Sequence, residues 1–205
     1  FFKSEVVRPL TGQNFLIGEM IRKYVLKVLG RDSKLTPFRY IESEKKIRAD
    51  FKLNDGRVIQ LKGFIDRVDE VKETIRIIDY KSGSGLSIFN SIESLFDMDL
   101  KERPKAIMQV CLYSWMYGLE APGKKIQPGI YYMRSLFTDA FDSGVYQRID
   151  RGRSEQLSEF ASVSSSFEDE LRKCLDNIFD CQVPFTQTST GNACLYCPFT
   201  GICGK

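Results

Sequence analysis

Gly63-Phe64-Ile65-Asp66-Arg67-Val68-Asp69, followed after a short polar break by Ile77-Ile78-Asp79-Tyr80-Lys81-Ser82-Gly83, is the stretch on which the reading of this chain turns. Each half is an apolar, β-branched run that ends in charge. A carboxylate or an ammonium at the end of a core strand is costly unless it finds a partner. Asp79 and Lys81 stand two apart, so on a strand their side chains leave the same face. Val71-Lys72-Glu73-Thr74 reads as the turn, which makes residues 57–69 and 75–81 neighbouring strands of an antiparallel hairpin. In a suitable register that hairpin brings Asp66 to Asp79 and Lys81.

Two aspartates suit Mg²⁺ or Mn²⁺, which take oxygen ligands, and the backbone carbonyl of Tyr80 is a further candidate ligand. An ion there polarises a phosphodiester and acidifies a bound water. Lys81 can orient that water, take its proton or stabilise the developing charge. For a bare Asp-x-Lys the commoner reading is an exposed ion pair worth about 0–1 kcal/mol. The apolar pairs Phe64-Ile65 and Ile77-Ile78 in front of the two aspartates, and Gly83 behind Lys81, tilt the reading towards a site.

Upstream, Asn54-Asp55-Gly56 is a turn signal after residues 38–53, which alternate loosely and read as one or two strands. Leu16, Ile17, Met20, Ile21, Tyr24, Val25 and Val28 recur at helical spacing and predict a helix from Thr11 to about Leu29. Downstream, Pro104 opens a helix to about Tyr117 that is apolar nearly all round and expected to be buried. Ile130-Tyr131-Tyr132-Met133 is a further β run. A strand over Val145–Ile149 and a long helix over about 154–179 follow. From Pro184 the chain reads as irregular.

With 205 residues and an apolar fraction of 42%, the chain is expected as one folded domain over 1–205. The net charge of +3 permits nucleic-acid binding without arguing for it. There is no histidine, so His-based general bases and metal ligands are excluded within this sequence. No apolar run is long enough to cross a bilayer, and membrane attachment is not expected. The opening Phe1-Phe2-Lys3-Ser4-Glu5 reads as a cut inside a longer protein.

At Gly63-x-x-Asp66-Arg67-x-Asp69 and Asp79-Tyr80-Lys81-Ser82-Gly83 the sequence resembles motifs II and III of the PD-(D/E)XK nucleases, in their RecB-like branch. Gln109 and Tyr113, four apart on one helix face, are similar to that branch's Q-x-x-x-Y motif. The resemblance implies a restriction-endonuclease-like α/β fold, a central mixed β-sheet flanked by the three helices. It implies metal ligands at Asp66 and Asp79, a catalytic Lys81, and Gln109 and Tyr113 as site-ordering or DNA-contacting residues. Glu42 loosely matches an acidic residue found before motif II in some members. Arg67 and Asp69 are expected to brace the hairpin or its DNA-facing end. The branch usually carries a histidine in motif I, which is expected upstream of Phe1.

The six cysteines are unevenly spread, and Cys194, Cys197 and Cys203 form C-x2-C-x5-C. Thiolates so placed fit zinc or a [4Fe–4S] cluster, and make 184–205 a Cys-rich metal-binding tail. The resemblance, closest to the C-terminal nuclease domain of AddB-type helicase–nuclease subunits, implies the iron–sulfur cluster, with a fourth cysteine upstream. Zinc, or no metal in this fragment, is the alternative. Cys111 and Cys174 read as core. The resemblance further implies a cytoplasmic DNA exonuclease with a helicase partner, acting in double-strand-break processing and recombinational repair. The alternative is an inactive nuclease fold that binds DNA or serves as a scaffold.

Overall fold

Asn54-Asp55-Gly56 makes the expected turn: Gly56 has φ +87° and the Leu53 N–H donates to the Arg57 carbonyl at 2.8 Å. The turn joins β1 (Arg39–Lys52) to β2 (Val58–Val71) as one long antiparallel pair, from Arg39 opposite Glu70 to Lys52 opposite Val58. Lys72 and Glu73 both adopt positive φ, 47° and 64°, the conformation that matches a two-residue hairpin turn to strand twist. They return the chain as β3 (Thr74–Lys81), antiparallel to β2. These features come from the computed structural model, which describes residues 11–139, 141–184, 186–188, 194–195 and 197–204.

β5 (Lys125–Tyr132) adds to the other flank of β3 in parallel, so the sheet order is β1-β2-β3-β5 and the sheet is mixed, as expected. A parallel neighbour needs a crossover. It is supplied by β4 (Ile88–Phe89), the short helix α2 (Ile92–Phe96) and α3 (Lys105–Glu120). α3 is buried along Ile107, Val110, Cys111 and Met116 against Ile47, Phe51, Ile65, Val68, Ile77 and Ile130 of the sheet. It continues past Gly118, where the expected helix stops, to Glu120.

A second, three-stranded sheet has the order β4-β6-β7, with β6 at Tyr146–Asp150 and β7 at Arg153–Gln156. β7 corrects the expected start of the long helix. Residues 153–156 pair with β6, from Tyr146 opposite Gln156 to Asp150 opposite Arg153, and α4 begins only at Ala161 and runs to Phe179. Arg-Ser-Glu-Gln carries no apolar alternation, so its strand form is imposed by the neighbour. Around this helix Phe160, Phe167 and Leu171 are buried and Ile178 is exposed.

The opposite face of the main sheet carries a smaller core of Ile78, Tyr131 and Leu136 with Val28 packed on it. Val28 belongs to α1 (Gly12–Asp32). This helix forms where expected, but Leu16, Met20, Ile21 and Val25 of its apolar stripe are half exposed or more. Tyr24 meets Phe137 edge-on, with ring centroids 5.4 Å apart. Asp32, at the C-terminal end, is buried and takes the Arg67 guanidinium at 2.6 Å. Among the described residues no helix is long and apolar enough to cross a membrane.

Candidate active site

Alternation along β2 slips at Asp66. Ile65 and Val68, three apart, are both buried in the main core, whereas Arg67 and Asp69 turn to the opposite face. On β1, Glu44 has φ +51°, a left-handed conformation that non-glycine residues seldom adopt. The last β2–β3 rung is Arg67 opposite Ile78. Beyond it the Asp66 carboxylate accepts the Tyr80 N–H at 2.6 Å. A side chain thus stands where a ladder partner would continue, and it fixes Asp66 against the end of β3.

Ile77, Asp79 and Lys81 share the face that packs on α3. Asp79 is 2% exposed, and Lys81 Nζ lies 2.7 Å from its Oδ2 as an ion pair. The same ammonium donates to Gln109 Oε1 at 2.7 Å, and Gln109 Nε2 donates to the Tyr113 hydroxyl at 3.0 Å. The chain Asp79–Lys81–Gln109–Tyr113 therefore joins β3 to α3 in one connected set. All five predicted side chains, Asp66 included, meet at this end of the sheet. Tyr80 reaches both faces of the sheet. Its amide meets Asp66, while its hydroxyl accepts from Arg67 Nη1 at 3.2 Å on the opposite face.

The carboxylates are not equivalent. Burial pushes the Asp79 carboxyl above its ordinary range; Lys81 pulls it down and the charge of Asp66 pushes it further up. The buried Asp79 Oδ2 meets the Lys81 ammonium at 2.7 Å. A buried carboxylate with one cationic partner and a second carboxylate close enough to repel it favours a further cation electrostatically. The residues fit a divalent metal held by Asp66 and Asp79. Among the described residues no third His, Cys, Asp or Glu joins them.

Sequence reasoning overlooked the part played by Gly63. A Cβ at this position would stand 2.4 Å from Tyr113 Cε1, so the missing side chain is what lets the Tyr113 ring lie against β2. The available signal was a glycine inside a strand, which often marks close approach of another group. Asp32 was also missed: nothing in a helix end foretells that it will pair with a strand arginine 35 residues on. Arg67 and Asp69 brace the hairpin, as expected. Arg67 bonds Asp69 at 2.7 Å and Asp32 at 2.6 Å, and Arg76 holds both Asp69 oxygens at 2.6 and 2.7 Å. Burial works against the Arg67 charge, yet Asp32 and Tyr80 raise its pKa on balance. Glu42 is exposed and pairs with Lys45 at 3.4 Å.

A family model described as the PD-(D/E)XK nuclease superfamily matches residues 4–204. The chain belongs to the PD-(D/E)XK nuclease superfamily. That makes it a nuclease-fold protein of a class that hydrolyses nucleic acid with divalent metals, and the mixed sheet flanked by helices is the architecture such a protein needs. No curated protein matches the chain. Among solved structures, "Crystal structure of SSO0001" is 19% identical over 87% of this chain and 67% of that one, with a TM-score of 0.35. Against this superfamily background the cysteine tail is a separate matter. Cys194 and Cys197 flank a turn in which the Cys197 N–H donates to the Cys194 carbonyl at 3.2 Å, and Cys203 ends α5 (Thr200–Cys203). Among the described residues these three thiols do not converge on a common metal position. Cys111 is fully buried, and burial pushes its thiol up to about 12.

Proposed function

We propose that this nuclease-superfamily chain is a Mg²⁺- or Mn²⁺-dependent deoxyribonuclease, with Asp66 and Asp79 as the metal ligands. The observation that carries the reading is the buried Asp79 carboxylate, paired with Lys81 at 2.7 Å and within the field of Asp66. When bound, the metal supplies Lewis acidity towards the scissile phosphate and the water. Lys81, held between Asp79 and Gln109, places an ammonium where the attacking water loses its proton and where negative charge gathers on phosphorus. Gln109 fixes the Lys81 head group by accepting from it, and Tyr113, seated against Gly63, fixes Gln109. Tyr80 acts through its amide, which holds Asp66 in place.

The motif resemblance supports a finer reading: a RecB-like exonuclease of AddB type, cytoplasmic, working with a helicase partner in double-strand-break processing and recombinational repair. The whole of 1–205 then acts as one nuclease domain. Residues 184–205 form its metal-binding tail, in which the C-x2-C-x5-C spacing supports a [4Fe–4S] cluster once a fourth thiolate joins.

The test is cleavage of linear DNA in Mn²⁺ by the wild-type protein, Asp79→Ala and Lys81→Ala. Each variant is expected to lose about 10²–10³-fold in rate. Equal cleavage by all three would remove these residues from the reaction.

A further inference from the structure

A cleft of about 1050 Å³ opens beside Lys81. Its floor is the 82–86 segment, in which Gly85 leaves room for the Tyr132 hydroxyl: a Cβ there would meet it at 2.6 Å. Residues 98–104, the first turn of α3 and Cys197–Phe199 of the tail also line it. The tail thus contributes to the same cleft as Lys81. Further along, Gln187 donates to the Cys203 carbonyl and helps to fold the tail on itself.

The lining combines two chemistries that seldom share a surface without reason. Lys101, Arg103 and Lys105 add three cations to Lys81, against Asp99 and Glu102 as the anions. Met98 and Phe199, which both line it, are 68% and 60% exposed, large apolar groups left uncovered. Arg103 Nη1 lies 3.4 Å from the Met98 sulfur, so a cation and an apolar side chain are held together. Cations along a groove with an exposed aromatic ring in it suit an unpaired strand, whose phosphates and base faces are both accessible. A duplex offers its phosphates, but its base faces are already stacked.

We propose that this cleft binds an unpaired segment of the DNA substrate, with Phe199 as the base-stacking surface and Lys101, Arg103 and Lys105 on the phosphates. The proposal rests on the assignment of Asp66, Asp79 and Lys81 as the reaction centre, and it gives the Cys-rich tail a place in substrate recognition that does not depend on its metal.

Binding without cleavage tests it. The affinity of the full chain for a fluorescein-labelled oligo(dT) and for a blunt duplex of equal length is measured by anisotropy in EDTA, over a range of salt. The single strand is expected to bind more tightly than the duplex. Phe199→Ala is expected to weaken single-strand binding about 5- to 100-fold and leave duplex binding unchanged, with Phe199→Trp restoring it. Lys101→Ala is expected to lower the salt slope for the single strand by about 0.7. Phe199 is exposed, so its variants should keep the wild-type melting temperature. Duplex binding as tight as single-strand binding, or a Phe199→Ala effect shared equally by both, would overturn the proposal. A protein that shows the Phe199 signature but cleaves nothing would refute the catalytic reading alone. One that cleaves single strands with an unchanged KM after Phe199→Ala would refute the cleft alone.

Discussion

Asp69 and Asp79 lie on neighbouring strands of one sheet, 0% and 2% exposed, and face opposite layers. Asp69 accepts three hydrogen bonds from two guanidiniums, Arg67 and Arg76, at 2.6–2.7 Å. Asp79 has a single ion-pair partner, Lys81 at 2.7 Å, which is itself shared with Gln109. Burying a carboxylate is tolerable where its lone pairs are met, and costly where they are not. The fold completes Asp69 from its own side chains. It leaves Asp79 with the Lys81 ammonium alone, and this difference separates a brace from the metal ligand proposed above.

The sharpest way to break the comparison is to remove the brace. Asp69→Ala strips the buried Arg76 guanidinium of its carboxylate, leaves Arg67 to Asp32, and should cost about 3–5 kcal/mol in denaturant unfolding. The molecules still folded should cleave at nearly the wild-type rate. A loss under about 1 kcal/mol would mean that Asp69 is not the keystone described here. Next in size is Gln109→Ala, which frees the Lys81 head group. It should lower kcat about 10- to 100-fold at an unchanged melting temperature. A fall in stability with kcat intact would assign Gln109 to packing.

The smallest effect concerns Asp79 itself. Burial raises its folded pKa above the unfolded value, so the folded state holds the proton more tightly than the unfolded chain does. Deprotonation therefore weakens folding, with a cost that grows as pH rises through the carboxylate range and is complete above the folded pKa. Without metal, Asp79→Asn should melt a few degrees higher than wild type at neutral pH and converge with it below about pH 4. Mn²⁺ should raise the wild-type melting temperature alone, by mass action. A variant less stable than wild type at neutral pH would show that Lys81 already satisfies Asp79.

Much of the site was legible because its signals are local. The two-residue spacing of Asp79 and Lys81 put them on one face, and the four-residue spacing of Gln109 and Tyr113 put them on one turn of a helix, whatever the tertiary fold. The turns at Asn54-Asp55-Gly56 and Lys72-Glu73 were equally local. What escaped was long-range or imposed. β7 is a strand only because β6 pairs with it. The slip in β2 at Asp66 has no pattern of its own, since apolar residues three apart suggest either a helix turn or nothing. In α1 the periodicity announced an apolar face, but could not say that residues such as Leu16 and Val25 would be left uncovered. The Asp32–Arg67 pair depends on where a helix happens to end.

β3 has one further consequence. It is bonded to β5 along its whole length and to β2 as far as Ile78. At Asp79 the backbone is held by the β5 ladder, and on the other flank the Asp66 carboxylate takes the Tyr80 N–H. Local unfolding spans the range from almost no free energy at weakly anchored segments to the global value in central strands. α1, anchored mainly through its last turns, belongs near the first limit, and β3 near the second. Asp79 thus sits on a strand expected to exchange slowly, and the proposed centre should outlast most of the partial openings that the rest of the molecule undergoes.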